Sequence, residues 1–150
     1  MTAGPRSTGL SGGSDAGSVF ASTPRPVRRD GEARRTLLVI DDEPAWRLLY
    51  RLEFEGQFEV IEAADGRDGL EKLESSLPDL VILDLAMPRM DGARFLACLE
   101  DKGVRTPVII CSAHEPETRP LERASVRVVP KSPDLTELSR AVLTLSSVAR

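Results

Sequence analysis

The chain has 150 residues, of which 41% are hydrophobic and 29% charged, which is enough apolar material for one folded domain. Its strongly apolar runs, such as Leu37 to Ile40, are far shorter than the ~20 residues of a membrane-spanning helix. Two cysteines and one histidine fit neither a disulfide scaffold nor a zinc site. Composition therefore excludes global disorder and predicts a reduced, cytoplasmic protein that does not span a membrane, with Cys98 and Cys111 as buried core residues.

The net charge of −4 divides unevenly along the chain. Residues 1–35 carry six arginines against three acidic residues, whereas residues 36–150 carry 14 basic and 21 acidic residues. The acidic part would repel nucleic-acid phosphates, so we expect it to make no direct contact with nucleic acid. Residues 1–35 also hold six Gly, five Ser and three Pro, a composition that predicts a disordered tail before a folded domain at 36–150.

Short segments rich in apolar residues and without strict polar alternation recur from residue 36 onward and predict five strands. These are Leu37 to Ile40, Phe58 to Ala63, Leu80 to Leu83, Val108 to Ile110 and Val126 to Val129. Because such strands are buried on both faces and are separated by helical segments, we predict a doubly wound α/β fold around a parallel sheet.

Apolar side chains at helical spacing mark the segments between the strands. The predicted apolar faces are formed by Ala45, Leu48, Leu49 and Leu52; by Leu70, Leu73 and Leu77; by Phe95, Leu96 and Leu99; and, in a closing helix, by Leu135, Leu138, Val142 and Leu145. Pro78 is expected to end the second helix. Pro116 and Pro120 leave room for only a short or irregular helix between the last two strands.

Polar side chains follow four of the five predicted strands, at the sheet edge where doubly wound folds carry their working groups. They are Asp41 and Asp42 after the first strand, Asp84 after the third, Ser112 after the fourth and Lys131 after the fifth. Converging carboxylates suit Mg²⁺, a lysine offers a point charge to a phosphoryl oxygen, and a serine hydroxyl can donate a further bond.

Each of these residues also has a simpler interpretation when it is considered alone. Asp42 could cap a helix, Asp84 and Ser112 could form local turns, and Lys131 could be a solvated surface charge. Their coincidence at one edge of the sheet favours a functional site.

These residues lie in segments that resemble the receiver domain of two-component response regulators. The segments are Leu38 to Glu43, Asp79 to Gly92, Val108 to Ala113, and Lys131. The resemblance implies a flavodoxin-like (βα)5 fold with an atypical short fourth helix, and it makes Asp84 the phosphoacceptor. It further implies that Asp41, Asp42, Asp84 and the backbone carbonyl of Ala86 bind Mg²⁺, and that Ser112 and Lys131 hold the phosphoryl oxygens.

The function implied by the resemblance is phosphoryl transfer from a histidine kinase or histidine phosphotransfer protein to Asp84. No output domain follows the closing helix, so we expect a stand-alone receiver, not an enzyme in its own right, that signals through protein–protein interaction. An interaction scaffold that works without phosphorylation is the alternative. A phosphohydrolase is disfavoured because Ala86 stands where such an enzyme needs a second carboxylate as general acid.

Three features depart from the family pattern. Ser132 intervenes between Lys131 and Pro133, where the family usually has a cis proline directly after the lysine. Val128 replaces the usual aromatic residue, and the interval from Ser112 to Lys131 is short. We therefore expect phosphorylation to act mainly on the loop after Ser112, since Val128 has no large ring that could move inward.

Overall fold

A computed structural model describes residues 31, 33–87, 90–113 and 125–148. Five parallel strands form one sheet in the order β2-β1-β3-β4-β5. The strands are β1 (Arg35–Ile40), β2 (Phe58–Ala63), β3 (Leu80–Leu83), β4 (Val108–Ser112) and β5 (Val126–Pro130). The helices of the described residues are α1 (Pro44–Phe54), α2 (Gly66–Ser76), α3 (Gly92–Asp101) and α4 (Thr136–Val148), the predicted closing helix. The predicted doubly wound, flavodoxin-like fold is confirmed.

The three inner strands are buried on both faces, as their unbroken apolar sequences predict. One face packs against α1 and α4, through side chains such as Leu37, Tyr50 and Val142. The other packs against α2 and α3, through side chains such as Ile40, Leu73 and Phe95. The central part of the sheet is therefore a rigid platform for the loops at its edge.

The edge strand β5 is more exposed than its sequence indicates. Arg127 and Val128 are exposed, and only Val129 of this strand is fully buried. The expectation of burial on both faces is therefore wrong for β5, and it holds only in part for β2, whose four middle residues are half-buried. Both strands lie at an edge of the sheet, where the helices cover them less completely than the inner strands.

Helix α1 exists where predicted but buries a different face. Leu48 and Leu52 are exposed, whereas Tyr50 and Phe54 are buried and Trp46 packs against the same core. Residues 46, 50 and 54 also follow helical spacing, and their rings remove more apolar surface from water than the leucines would. The predicted apolar face of α1 is therefore wrong.

The remaining helix predictions largely hold. Leu138, Val142 and Leu145 of α4 are buried, with Leu135 packed against them, and Phe95, Leu96 and Leu99 of α3 are buried. In α2, Leu73 is buried, but Leu77 is exposed and adopts a left-handed conformation (φ 48°) that ends the helix before Pro78. Cys111 is buried as expected, whereas Cys98 is only half-buried.

Two predictions fall on residues outside the described ones. They are the tail, which lies almost wholly at 1–30 and 32, and the short helix with Pro116 and Pro120. Strand β1 begins at Arg35, one residue before the domain boundary placed from the sequence. None of the described helices is long and apolar enough to cross a membrane.

The start of α3 approaches the end of β3 so closely that only glycine fits there. A Cβ atom on Gly92 would lie 2.6 Å from the backbone oxygen of Asp84 and 2.7 Å from Cα of Leu85. The backbone N–H of Gly92 donates to the Leu85 carbonyl at 3.0 Å. This contact fixes the loop that follows Asp84 against the helix.

We expect Gly92→Ala to destabilise the protein by about 1–3 kcal/mol, because the added methyl group meets backbone atoms that cannot yield without moving the loop. Gly56→Ala is the matched control, since nothing lies within 4 Å of a Cβ at that position. Urea unfolding followed by tryptophan fluorescence measures both variants. Equal stability of the two would contradict this account of Gly92.

Candidate functional site

The ends of β1 and β3 bring three carboxylates together. One oxygen from each of Asp41, Asp42 and Asp84 lies within 4.8 Å of the others. Asp41 and Asp84 are buried, and Asp42 is exposed. The backbone N–H of Ala86, itself exposed, donates to Oδ1 of Asp84 at 3.2 Å. The sequence-predicted acidic residues therefore form one cluster with an open side.

Lys131 enters this cluster from the end of β5. Its Nζ atom lies 2.7 Å from Oδ2 of Asp41 and 3.5 Å from Oδ2 of Asp84, and its side chain is only 6% exposed. The ring of Trp46 covers the ammonium group, with its centroid 5.0 Å from Nζ. The interpretation of Lys131 as a solvated surface charge is therefore wrong.

Asp42 does not cap helix α1, although its position just before that helix suggests such a role. The N-cap of α1 is Glu43, whose side chain makes no capping hydrogen bond. Within the described residues, no hydrogen bond or ion pair involves the Asp42 carboxylate. The simpler interpretation of Asp42 as a helix cap is therefore wrong, and its oxygens are available to a ligand.

The surroundings of Asp84 and Lys131, at the centre of the cluster, raise the pKa of both groups. Burial raises the pKa of Asp84, and the neighbouring Asp41 carboxylate adds to this, although the Ala86 N–H and Lys131 oppose it. Burial lowers the pKa of Lys131, but its contacts with Asp41 and Asp84 outweigh this and raise it overall. Lys131 therefore stays positively charged at neutral pH.

Ser112 ends β4 at the same edge and is half-buried. Its backbone carbonyl accepts the N–H of Lys131 at 2.9 Å, and Ser112 pairs with Pro130 across the ladder. The end of β4 is thereby tied to the residue that carries the ammonium group. The structure places all the residues that sequence reasoning assigned to this site at one edge of the sheet.

The donor set fits a magnesium ion. Three carboxylates against one lysine leave an excess of negative charge, and their oxygens are the hard ligands that Mg²⁺ prefers. Oδ2 of Asp41 is buried and, apart from its ionic contact with Lys131, has no partner of hydrogen-bond geometry among the described residues. A divalent cation would offset this negative charge, while Lys131 already holds the Asp41 oxygen.

Sequence reasoning missed the residues of α1 that support the site. Trp46 covers Lys131 and packs against Tyr50, their ring centroids 5.8 Å apart. Burial raises the pKa of Tyr50 far above its ordinary value, and burial likewise raises the pKa of Cys111 to about 12. Both groups stay neutral at physiological pH and belong to the buried core between α1 and the sheet. An aromatic residue one helical turn after the acidic pair was the available signal.

Two of the departures from the family pattern can be located. Among the described residues no peptide bond is cis, so Lys131–Ser132 and Ser132–Pro133 are both trans. The side chain of Val128 is 48% exposed, and it therefore lies on the surface of β5. The loop that we expect to respond to phosphorylation follows Ser112, and from residue 114 to 124 it lies outside the described residues.

We expect Lys131→Met to lower the free energy of unfolding by about 3 kcal/mol, because it leaves buried carboxylates without their counter-charge. Lys102→Met is the control, since Lys102 pairs with Glu74 at the surface and should contribute little. Adding Asp41→Asn to Lys131→Met should recover part of the loss. Chemical denaturation measures all three variants, and a similar small effect of both lysine substitutions would contradict the ion-pair cluster.

Comparisons with known proteins agree with this geometry. The family model described as the response regulator receiver domain matches residues 37–143. The Regulator of RpoS of Escherichia coli K12 is 42% identical over 83 residues, which cover 54% of this chain and 24% of that protein. A putative transcriptional regulator of Pseudomonas aeruginosa is 35% identical over 115 residues, covering 71% of this chain and 56% of that protein. The chain thus spans about a quarter to about half of these relatives.

Solved structures give the same result. The response regulator TrrA of Thermotoga maritima, in complex with Mg²⁺ and BeF, has a TM-score of 0.67 and 32% identity, covering 74% of this chain and 98% of that one. The receiver domain of the putative response regulator NarL of Mycobacterium tuberculosis has a TM-score of 0.66 and 33% identity, covering 76% and 97%. The chain belongs to the receiver domains of two-component response regulators.

Proposed function

We propose that this domain accepts a phosphoryl group on Asp84 in a reaction that requires Mg²⁺. The observation that carries the proposal is the convergence of the three carboxylates within 4.8 Å, with Lys131 Nζ 3.5 Å from Asp84. A nucleophilic carboxylate, an acidic metal site and a buried cation are the three parts that phosphoryl transfer to aspartate needs.

In the proposed reaction, a carboxylate oxygen of Asp84 forms a bond to phosphorus while the bond from phosphorus to the donor breaks. With a phosphohistidine donor the breaking bond is P–N, and the imidazole leaves with its electron pair and takes up a proton. Lys131 offsets charge on the phosphoryl oxygens, as does a hydrogen bond from the Ser112 hydroxyl. The raised pKa of Lys131 keeps it charged for this role.

Mg²⁺, when bound, would neutralise the carboxylates and the incoming phosphoryl oxygens. Asp42 and Asp84 would hold it directly, together with the backbone carbonyl of Ala86. Asp41 already contacts Lys131 and accepts the N–H of Glu43 on Oδ1 at 2.9 Å, so its role is to hold the lysine and to add negative charge. The bound Mg²⁺ in the TrrA structure supports the assignment of the metal.

The partners follow from this chemistry. The phosphoryl donor would be a sensor histidine kinase or a histidine phosphotransfer protein, and an output partner would read the phosphorylated state. Direct nucleic-acid binding remains unexpected for the acidic domain, and the cytoplasmic location stays a prediction. The scaffold alternative would not require the buried lysine and the acidic cluster to be kept together, and the domain has both.

We expect the intact mass of the protein to rise by one phosphoryl group after incubation with acetyl phosphate and Mg²⁺. Asp84→Asn should show no rise, because its amide cannot form the aspartyl phosphate. Asp101→Asn, which changes an exposed carboxyl group at the end of α3, should be labelled like the wild type. Labelling of the Asp84→Asn variant, or of the wild type without any divalent cation, would overturn the proposal.

A further inference from the structure

Arg47, near the start of α1, links the turn that carries the acidic pair to strand β2. Its NH1 atom donates to the backbone oxygen of Asp41 at 2.7 Å. Its Nε atom lies 3.3 Å from Oε1 of Glu62 on β2, and the Arg47 side chain is only 17% exposed. One planar guanidinium group is thus held at two points, and it fixes the direction of the Asp41 carbonyl.

That carbonyl matters because it belongs to the peptide group between Asp41 and Asp42. A peptide group is planar, so the direction of its oxygen also sets the direction in which the chain enters Asp42. Other contacts also hold this turn, because the Asp41 N–H donates to the Ala63 carbonyl at 3.1 Å and Asp41 Oδ1 accepts the Glu43 N–H at 2.9 Å, but neither of them holds the Asp41 carbonyl. The β1 ladder ends at Ile40, and α1 begins at Pro44 without a side-chain cap from Glu43.

We propose that Arg47 is a positioning residue for the acidic cluster. By holding the Asp41–Asp42 peptide plane, it keeps the exposed Asp42 carboxylate facing Asp41 and Asp84, in an arrangement ready for a divalent cation. This inference rests on the proposed function, since it takes the three carboxylates to be the Mg²⁺ site.

Arg51 provides a matched control one helical turn further along α1. Its NH1 atom lies 2.9 Å from Oε2 of the same Glu62 carboxylate, and its side chain is 43% exposed. Within the described part of the chain it has no contact with Asp41. Replacing Arg51 therefore removes a similar charge and a similar ion pair, but it leaves the Asp41 carbonyl held.

Arg47 could act on Mg²⁺ binding through its charge or through the contact that orients the acidic turn, and the two roles predict opposite changes in Mg²⁺ affinity when Arg47 is removed. A cation near three carboxylates competes with Mg²⁺, so loss of its charge alone would tighten metal binding. Loss of a group that orients a ligand weakens metal binding, by about tenfold or more at many sites. The sign of the change in Mg²⁺ affinity therefore separates the two roles.

The experiment is an Mg²⁺ titration of the full chain, followed by fluorescence of Trp46, the single tryptophan, and by the Mg²⁺-dependent rise in Tm. Arg47→Gln is expected to raise the Kd for Mg²⁺ about tenfold, whereas Arg51→Gln stays within about twofold of the wild type. Unchanged or tighter binding by Arg47→Gln would overturn the inference, as would an equal loss in both variants.

Arg47→Lys provides the test if circular dichroism shows that Arg47→Gln does not fold. Lysine keeps the charge but lacks the planar fork that reaches both partners, so Mg²⁺ binding should again weaken. Binding like that of the wild type would overturn the inference. If the wild type itself binds no Mg²⁺, the proposed metal site fails first, and that outcome is distinct from a failure confined to Arg47.

Discussion

The contact between Lys131 and Asp41 determines how this domain is assembled at its working edge. Lys131 follows the edge strand β5, and its ammonium group reaches the carboxylate that follows β1, with Asp84, which follows β3, beside them. The pair is buried, so the charges cannot rely on water for compensation and must face one another. Three carboxylates can be gathered there because this lysine, and by our proposal a bound Mg²⁺, offset their repulsion.

Helix α1 couples the interior of the domain to that edge. Tyr50 and Phe54 anchor the helix in the core, and this places Trp46 over Lys131 and Arg47 against the Asp41 carbonyl. Successive residues of one helix therefore act on the lysine and on the acidic turn. A change in how α1 packs would therefore alter the position of both the lysine and the acidic turn.

The fold and the convergence of polar residues at one edge of the sheet could be predicted because they depend on local patterns. Unbroken apolar runs indicate the inner strands, and polar residues at the ends of parallel strands meet at one edge by topology. The buried face of α1 could not be predicted in the same way, because Leu48 and Leu52 and the aromatic residues follow the same spacing, and burial depends on which face meets the sheet. The exposure of Val128 depends on strand order, and the Arg47 contacts depend on tertiary packing, so neither is visible in the sequence.

Asp84 is a carboxylate that the proposed function requires and that stability disfavours. Because burial raises its pKa, the folded protein binds this proton more readily than the unfolded chain, and stability falls as pH rises through the range between the ordinary and the raised pKa. The most direct test is the free energy of unfolding of the wild type and of Asp84→Asn across pH, without and with Mg²⁺. We predict that the asparagine variant is more stable at neutral pH, that the difference shrinks on acidification, and that Mg²⁺ stabilises only the wild type appreciably. A wild type more stable than the variant at neutral pH without Mg²⁺, or a difference independent of pH, would contradict the account.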